Sequence, residues 1–267
     1  MGISAMHAAA TGMKAMDTKL NVVANNIANI GTVGFKRSRA SFEDLLYQAQ
    51  REPGLPNAAD EPTPYGIQVG LGVKLAGTEL DFTQGSPDVT DGAYDIAIQG
   101  QGFFQVRTYL NGEQVTAYTR AGNFTTNANG NLVLGNSVGS MLEPQIAIPD
   151  GEGEVQIGEN GTVTLTLTGQ PTQEIGQIEL ARFANPKGLV QIGKNMFLES
   201  DASGAPVTGN PGENGLGTLL PGSLEMSNAD PVRELVEMIR TQRYFEMNSQ
   251  VIQTADEAMS TVAQLKR

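Results

Sequence analysis

The chain carries few side chains of the types that perform nucleophilic, acid–base or metal chemistry. It has one histidine, His7, and no cysteine, which excludes disulfides, thiolate nucleophiles and cysteine metal sites. Serine nucleophiles lack a plausible base, because His7 lies among alanines without a second histidine at helical spacing. We interpret His7 as a surface or interface residue, neither a base nor a ligand.

Acidic residues are the remaining candidates for chemistry. Asp88, Asp91 and Asp95 do not match the ligand spacing of an EF-hand loop, and we expect solvated turn carboxylates. Gly70-Leu71-Gly72 and Gly100-Gln101-Gly102 resemble phosphate loops only weakly, because neither opens a helix. A carboxylate-pair hydrolase remains an alternative, since 29 acidic residues always offer a pair. The sequence predicts no catalytic residue, no metal ligand and no cofactor.

The charge distribution excludes one class of partner. The chain has a net charge of −12, and residues 52–225 alone carry −14. Such an acidic middle argues against binding nucleic acid. The first residues lack the basic and apolar regions of a secretory signal, and no apolar run approaches the roughly 18–20 residues that span a bilayer. We expect no nucleic-acid partner, no membrane span and no cleaved signal peptide.

Each end of the chain has the apolar periodicity of a long helix. The first helix is predicted over about residues 3–30, and Gly31 and Gly34 mark its end. The second is predicted from Pro231, with Asp230 as N-cap, to about Leu265. The predicted assembly positions on the two helices are Ile3, Met6, Met13, Leu20, Val23 and Ile27, and Val232, Leu235, Ile239, Met247, Val251, Val262 and Leu265.

The middle of the chain has the pattern of antiparallel β structure. Asn-Gly pairs at residues 111–112, 129–130, 160–161 and 214–215 are hairpin signals, and alternating apolar runs flank the first three. The fold class is therefore predicted as α+β, with long terminal helices forming a coiled-coil-like α domain and a mainly antiparallel β middle in two subdomains that divide near residues 140–145.

The apolar positions of the two predicted helices are compatible with two packing arrangements. They could bury their apolar residues against each other within one molecule, or against the same helices of neighbouring copies. An extracellular β-rich adhesin that uses its helices only internally is an alternative from a different class. A further stretch, within residues 47–66, is predicted to be an extended, proline-rich segment. Its notable residues are Tyr47, Pro53, Leu55, Pro56, Pro62 and Pro64.

Asn25 to Arg37 closely resembles the signature A-N-N-[IL]-A-N-x-x-T-x-G-[FY]-K of the flagellar basal-body rod and hook protein family. Ser41–Gln48, Tyr94–Val106, Tyr118–Phe124 and Gln242–Ser249 are similar to further family segments, in the same order. Tyr244-Phe245 departs from the usual Ala-Tyr. The signature positions are Asn25, Asn26, Ala28, Asn29, Thr32, Gly34, Phe35 and Lys36.

The resemblance implies a structural, non-enzymatic subunit of the distal rod, with a proximal-rod or hook paralogue as the alternative. It implies export through the flagellar type III apparatus and assembly in the periplasm into a stiff hollow drive shaft. The implied partners are copies of the chain itself, proximal-rod and hook proteins along the axis, and the ring proteins around the rod. The predicted domains are residues 1–46 (N-terminal helical assembly segment), 47–66 (extended proline-rich segment), 67–226 (β-rich domain) and 227–267 (C-terminal helical assembly segment).

Overall fold

The computed structural model describes residues 2–54, 64–110, 112–149, 153–167 and 171–265. Two long helices lie at the ends of the chain, α1 (Gly2–Ala28) and α2 (Pro231–Leu265), with β structure between them. The chain divides into two compact units. We call Met1–Ala28, Ser38–Glu79 and Asp230–Arg267 the helical unit, and Asn29–Arg37 and Leu80–Ala229 the β unit.

The strands are numbered in chain order. In the first half they are β1 (Ser38–Asp44), β2 (Tyr47–Arg51), β3 (Ile67–Gly70), β4 (Val73–Leu80), β5 (Pro87–Val89), β6 (Ile96–Gln99), β7 (Phe103–Leu110), β8 (Glu113–Thr119), β9 (Phe124–Thr126) and β10 (Leu132–Leu134). In the second half they are β11 (Met141–Glu143), β12 (Gly153–Ile157), β13 (Thr162–Leu167), β14 (Gln173–Gln177), β15 (Leu180–Arg182), β16 (Val190–Gly193), β17 (Met196–Leu198), β18 (Val207–Gly209), β19 (Thr218–Pro221) and β20 (Ser223–Glu225).

The second helix begins where the sequence predicts. The Oδ1 atom of Asp230 accepts hydrogen bonds from the backbone N–H groups of Val232 at 2.9 Å and Arg233 at 3.2 Å, which satisfies donors that a helix start leaves free. Pro231 occupies the first helical position, where its missing N–H costs nothing. The predicted bounds of α2 are confirmed, and α1 ends two residues before the predicted position.

The two helices of the helical unit pack antiparallel. Asn26 of α1 donates to Glu234 of α2 at 3.1 Å, and Lys19 forms an ion pair with Glu237. Further along, a Cβ atom at Gly12 would lie 3.0 Å from Nδ2 of Asn248. The residue numbers on one helix fall as those on the other rise, which fixes the antiparallel register.

A two-stranded ribbon completes the helical unit. β1 pairs with β4, and β2 pairs antiparallel with β3. Between these pairs, the N–H of Leu45 donates to the carbonyl of Gly72, and the N–H of Leu71 donates to that of Leu46. The ribbon lies against α1, because Thr11 Oγ1 accepts from the N–H of Val73 at 3.3 Å.

The β unit is built on a mainly antiparallel nine-stranded sheet. Its central hairpin is β7–β8, and the order β16-β17-β8-β7-β11-β10-β9 extends from it, with β15 and β18 attached beside β7. The strands β12, β13 and β14 form a separate antiparallel sheet. β6 pairs with β19, and β5 pairs with β20.

The β unit contains its own hydrophobic core. Phe104, Val106, Leu142 and Leu180 are buried at its centre. Around Phe103 lies a second cluster in which aromatic rings meet edge to face, an arrangement that adds to simple burial. All residues described in the two clusters belong to the β unit.

Three of the Asn-Gly predictions correspond to hairpins and one does not. Residues 111–112, 129–130 and 160–161 lie in the β7–β8, β9–β10 and β12–β13 connections, although Asn111 itself lies outside the described residues. Asn214-Gly215 joins β18 to β19, which pair with β15 and β6 instead of with each other. Both residues have positive φ, so the pair marks a tight turn without a hairpin.

The boundaries of the two compact units differ from the boundaries of the predicted domains. Residues 1–46 are not helical throughout, because Ser38–Asp44 forms β1. Residues 29–37 belong to the β unit, and residues 38–79 belong to the helical unit. The nine-stranded sheet includes strands on both sides of residues 140–145. The division of the β middle into two subdomains stays a prediction.

The self-contained core of the β unit predicts its independence. A chain without residues 1–28 and 230–267 should remain monomeric and unfold cooperatively, because the residues of both core clusters are retained. Residues 38–79 should lose their protection from hydrogen exchange, because the helices against which they pack are gone. Urea denaturation and hydrogen exchange would check this. A truncated chain without a cooperative transition would show that the helices are needed to fold the β unit.

Candidate assembly surface and buried charge cluster

The first half of the α2 face that contacts α1 is mainly polar. Glu234 and Thr241 are 5% and 1% exposed, and Asn248 is half-buried. Glu234 accepts a hydrogen bond from Asn26, and the hydroxyl of Thr241 donates to the carbonyl of Glu237 at 2.7 Å. The contact between the helices therefore satisfies polar groups and buries few large apolar side chains of α2.

Outside its contact with α1, α2 exposes its large apolar side chains. Its predicted assembly positions with described side chains are all exposed, from 44% for Val251 to 69% for Val232. The exposed apolar side chains of α2, which we call the α2 stripe, are Val232, Leu235, Val236, Ile239, Tyr244, Phe245, Met247, Val251, Met259 and Val262. An exposed apolar surface of this extent is typical of a protein–protein contact.

The predicted positions on α1 are more enclosed. Val23 is buried, and Met6, Met13, Leu20 and Ile27 are half-buried. Ile3 and Leu265 lie outside the side chains that the structure describes. The two helices are thus unequal, since α1 is largely covered within its unit and α2 is not.

Asn26 fixes the end of α1 to the first strand. Its amide is 2% exposed, and it donates to the carbonyl of Ser38 and accepts from the N–H of Ser38, both at 2.9 Å. This side chain therefore pairs with β1 as a neighbouring strand would. Asn25 and Ala28 are exposed on the same last turn of the helix.

The rest of the signature forms a tight turn inside the β unit. The backbone and hydroxyl of Thr32 donate to the carbonyl and side chain of Asn29, and the N–H of Phe35 donates to the carbonyl of Thr32. Gly34 has φ of +68°, and a Cβ atom there would lie 2.5 Å from the backbone nitrogen of Ala121. Only glycine fits this position.

Lys36, at the end of the signature, enters a fully buried charge cluster with Arg120 and Glu225. Lys36 donates to Oε1 of Glu225 at 2.6 Å and to the carbonyl of Thr83 at 2.8 Å. Arg120 donates to Oε2 of Glu225 at 3.3 Å and to the carbonyl of Gly100 at 2.7 Å. The three side chains are at most 4% exposed.

The cluster holds two cations and one anion in a dry environment. Burial lowers the pKa of Lys36 and that of Arg120, and Glu225 opposes both shifts. The guanidinium carbon of Arg120 lies 5.4 Å from the ring centroid of Phe103, which offers further stabilisation of the positive charge. Removing Glu225 would leave two uncompensated cations, so this carboxylate is the residue on which the cluster depends.

The cluster joins parts of the β unit that are distant in sequence. Lys36 comes from the signature turn, Arg120 follows β8, and Glu225 ends β20. The N–H of Gly34 also donates to the backbone carbonyl of Glu225 at 2.7 Å. Sequence reasoning found Lys36 and the Tyr-Thr-Arg segment, but it missed Glu225. No local pattern distinguishes this glutamate from the other acidic residues.

The histidine, aspartate and glycine residues that the sequence offered as candidates for chemistry make ordinary structural contacts. His7 is exposed, and its Nδ1 atom lies 3.1 Å from the carbonyl oxygen of Leu71. The carboxylate of Asp95 accepts from the hydroxyl of Thr90 at 2.6 Å. Gly72, with φ of +115°, lets the ribbon approach α1, because a Cβ atom there would lie 2.2 Å from Thr11 Oγ1.

The proline-rich segment is described only at its ends. Tyr47 begins β2 and is exposed, Pro53 lies in a turn after β2, and Pro64 lies shortly before β3. Leu55, Pro56 and Pro62 lie outside the described residues. The described ends show that the segment connects the two paired strands at the tip of the ribbon.

Three family models match the chain. Residues 6–36 match the flagella basal body rod protein model, residues 97–165 match the D1 domain of flagellar hook protein FlgE/F/G, and residues 220–265 match the C-terminal model of flagellar basal body rod FlgEFG proteins. The first and third matches cover most of α1 and α2, and the second lies in the β unit. Neither described helix is long and apolar enough to cross a membrane.

Full-length relatives agree with these models. The flagellar basal-body rod protein FlgG of Caulobacter vibrioides is 46% identical over 266 residues, covering 99% of this chain and all of that protein. FlgG of Bacillus subtilis is 39% identical over 99% of this chain and all of that protein. FlgF of Caulobacter vibrioides is 33% identical over 92% of this chain and 91% of its own length. The chain belongs to the flagellar basal-body rod protein family, a family of structural proteins, and within it resembles FlgG more closely than FlgF.

Among solved structures, the Helicobacter pylori flagellar hook protein FlgE2 aligns with 71% of this chain and 43% of its own at 15% identity. Its TM-score of 0.24 is too low to support a comparison of folds.

The charge cluster predicts a large and specific loss of stability. Replacing Glu225 with alanine should destabilise the β unit by about 3–5 kcal/mol, because Lys36 and Arg120 would then face each other without an anion. Lys36→Met should cost less, because it leaves a balanced pair of charges. Urea denaturation would measure both variants.

Glu113→Ala is the matched control, since Glu113 is an exposed acid of the same unit. It should change the free energy of unfolding by less than about 0.5 kcal/mol. If Glu225→Ala were as stable as this control, the cluster would have no stabilising role.

Proposed function

We propose that this chain is the structural subunit of the flagellar distal rod and that it polymerises with copies of itself into a stiff, hollow drive shaft. The shaft transmits motor torque to the hook. Membership of the rod protein family and the similarity to FlgG along the full chain support the assignment.

The proposal rests mainly on the polarity of α2, which buries polar side chains and exposes apolar ones. A helix that served only its own fold would bury its apolar side chains and expose its polar ones. α2 buries Glu234 and Thr241 and exposes its stripe. Each exposed side chain gains about 25 cal/mol per Å² of apolar area once a partner covers it, so the stripe favours association. We propose that neighbouring copies cover it in a coiled-coil-like arrangement of helices.

The remaining partners follow from the family assignment. We propose axial contacts with proximal-rod and hook proteins, lateral contacts with the surrounding ring proteins, and passage through the flagellar type III export apparatus without signal cleavage. The assembled position is the periplasm. The acidic β unit and the absence of cysteine from the sequence are compatible with this route.

The ribbon and its proline-rich connection have a proposed mechanical role. Bending a shaft requires neighbouring rows of subunits to slide, and an extended insertion wedged between rows would prevent this. The prolines restrict φ and lower the entropy cost of ordering the segment. Tyr47 lies at its start as an exposed aromatic anchor. We propose that the segment of residues 47–66 stiffens the shaft.

The α2 stripe predicts assembly defects without folding defects. Val251→Asp and Ile239→Asp should each leave the monomer folded, because both positions are exposed. They should abolish polymerisation, because the charge would be buried without a partner in the contact between copies. Sedimentation of the purified protein and swimming of cells carrying the variant would measure the effect.

The control is Val138→Asp, which places the same charge at a valine of the β unit that is as exposed as Val251, at 44%. It adds the same charge and should polymerise as the unsubstituted chain does. Normal polymerisation of Val251→Asp and Ile239→Asp would mean that the stripe does not lie between copies.

The ribbon predicts a change in stiffness. Residues 47–70 can be replaced by an Asn-Gly turn, because the N–H of Leu71 already donates to the carbonyl of Leu46 and the two ends are adjacent. The shortened chain should polymerise into a curved, more compliant shaft, measured as persistence length by electron microscopy. A companion variant with a Gly/Ser sequence in place of residues 52–65 should also be compliant if the prolines provide the rigidity. Straight, stiff shafts from the shortened chain would refute the mechanical role.

A further inference from the structure

The last turns of α2 extend past the described part of α1. Gly12 lies beside Asn248, and the helices run antiparallel, so Gly2 lies opposite about residue 258. The described part of α1 therefore has no residue opposite Met259 or Val262. These side chains are 41% and 65% exposed. We call Asp256, Met259 and Val262 the α2 overhang.

The overhang continues the face of α2 that packs on α1. Asn248, Ile252 and Ala255 are half-buried on the preceding turns, and Met259 and Val262 follow at the same spacing of four and three residues. Two large apolar side chains thus occupy a contact face that no described residue of α1 covers. Asp256 lies one turn before Met259 on the helix surface and adds a negative charge beside them.

A groove with complementary chemistry lies in the same unit, between α1 and the ribbon. Its volume is about 380 Å³. Ala15, Leu45 and Val73 provide apolar walls, and Lys14 and Lys74 provide positive charges at its edge. Lys74 forms an ion pair with Glu43 at 3.0 Å, with both side chains more than half exposed. Lys14 is exposed and makes no ion pair with the described residues.

The overhang does not reach the groove of its own molecule. The groove lies along α1 near Ala15, which the helix register places opposite about residue 245. Met259 lies 14 residues further along the rigid helix, about 20 Å away at 1.5 Å per residue. Only a second molecule can bring an overhang into this groove.

We propose that the α2 overhang of one copy docks into the groove between α1 and the ribbon of the next copy. Met259 and Val262 enter the apolar part of the groove, and Asp256 pairs with Lys14 at its edge. The two surfaces differ, so the contact is head-to-tail and repeats without closing, as an open helical polymer requires. The inference rests on the proposed polymerisation and specifies one contact within it.

The test is a charge exchange in the full-length chain. Lys14→Glu and Asp256→Lys should each raise the critical concentration for polymerisation by about tenfold or more at low ionic strength, because each places like charges across the contact. An equimolar mixture of the two variants should polymerise close to normally. In an alternating polymer, each overhang meets a groove of opposite charge. Circular dichroism would verify that each monomer is folded.

Glu257→Lys is the control for Asp256→Lys. Glu257 is the neighbouring exposed acid, and it points about 100° away around the helix. Its reversal changes the net charge equally and should leave the critical concentration within about twofold. Met259→Gln with Val262→Gln tests the apolar part, and mixing with either charge variant should not restore its assembly.

The possible outcomes distinguish a failure of the proposed polymerisation from a failure of the docking contact. If the unsubstituted chain forms no polymer, the proposed function fails. If it polymerises and Lys14→Glu or Asp256→Lys polymerises equally well, the docking contact alone is wrong. If both charge variants are impaired and the mixture does not recover, the two residues do not face each other across copies, which also overturns the docking contact.

Discussion

The structure depends on one reversed arrangement, in which the first half of α2 packs on α1 mainly through polar side chains and most large apolar side chains of α2 are exposed to water. Burial of apolar surface is the main favourable term in folding, and this helix uses little of it within the molecule. In the proposed polymer, neighbouring copies cover this exposed surface. That coverage would explain why α2 exposes its large apolar side chains.

The β unit is stabilised in a different way from the helical unit. It folds around its own core and closes on a buried charge cluster at the place where the signature turn meets the end of β20. Such a cluster contributes little net stability compared with apolar packing, but breaking it is costly. It requires Lys36, Arg120 and Glu225 to meet, so it specifies one position for the turn. A subunit that repeats many times in a shaft benefits from such uniqueness.

The sequence predicted what local patterns encode. Pro231 after Asp230 identified the start of α2, and the Asn-Gly pairs identified three hairpins, because capping and turn chemistry act over a few residues. The ribbon of β1 to β4 was missed, since its strands are separated by a proline-rich stretch and alternate poorly. Glu225 was missed because its partners lie more than 100 residues away. The apolar stripe of α2 was found, but its exposure depends on which face α1 covers, which no spacing reveals.

We propose that the α2 stripe is exposed in the monomer and covered in the polymer. The chain has no cysteine, so single cysteines placed along α2 would report accessibility without a background. The most direct measurement is the alkylation rate at Val232, Ile239, Val251 and Val262 positions before and after assembly. We expect rapid labelling of the stripe in the monomer and strong protection in the polymer, whereas a cysteine at Thr241 should be protected in both states. Equal labelling of the stripe in monomer and polymer would show that neighbouring copies do not cover it.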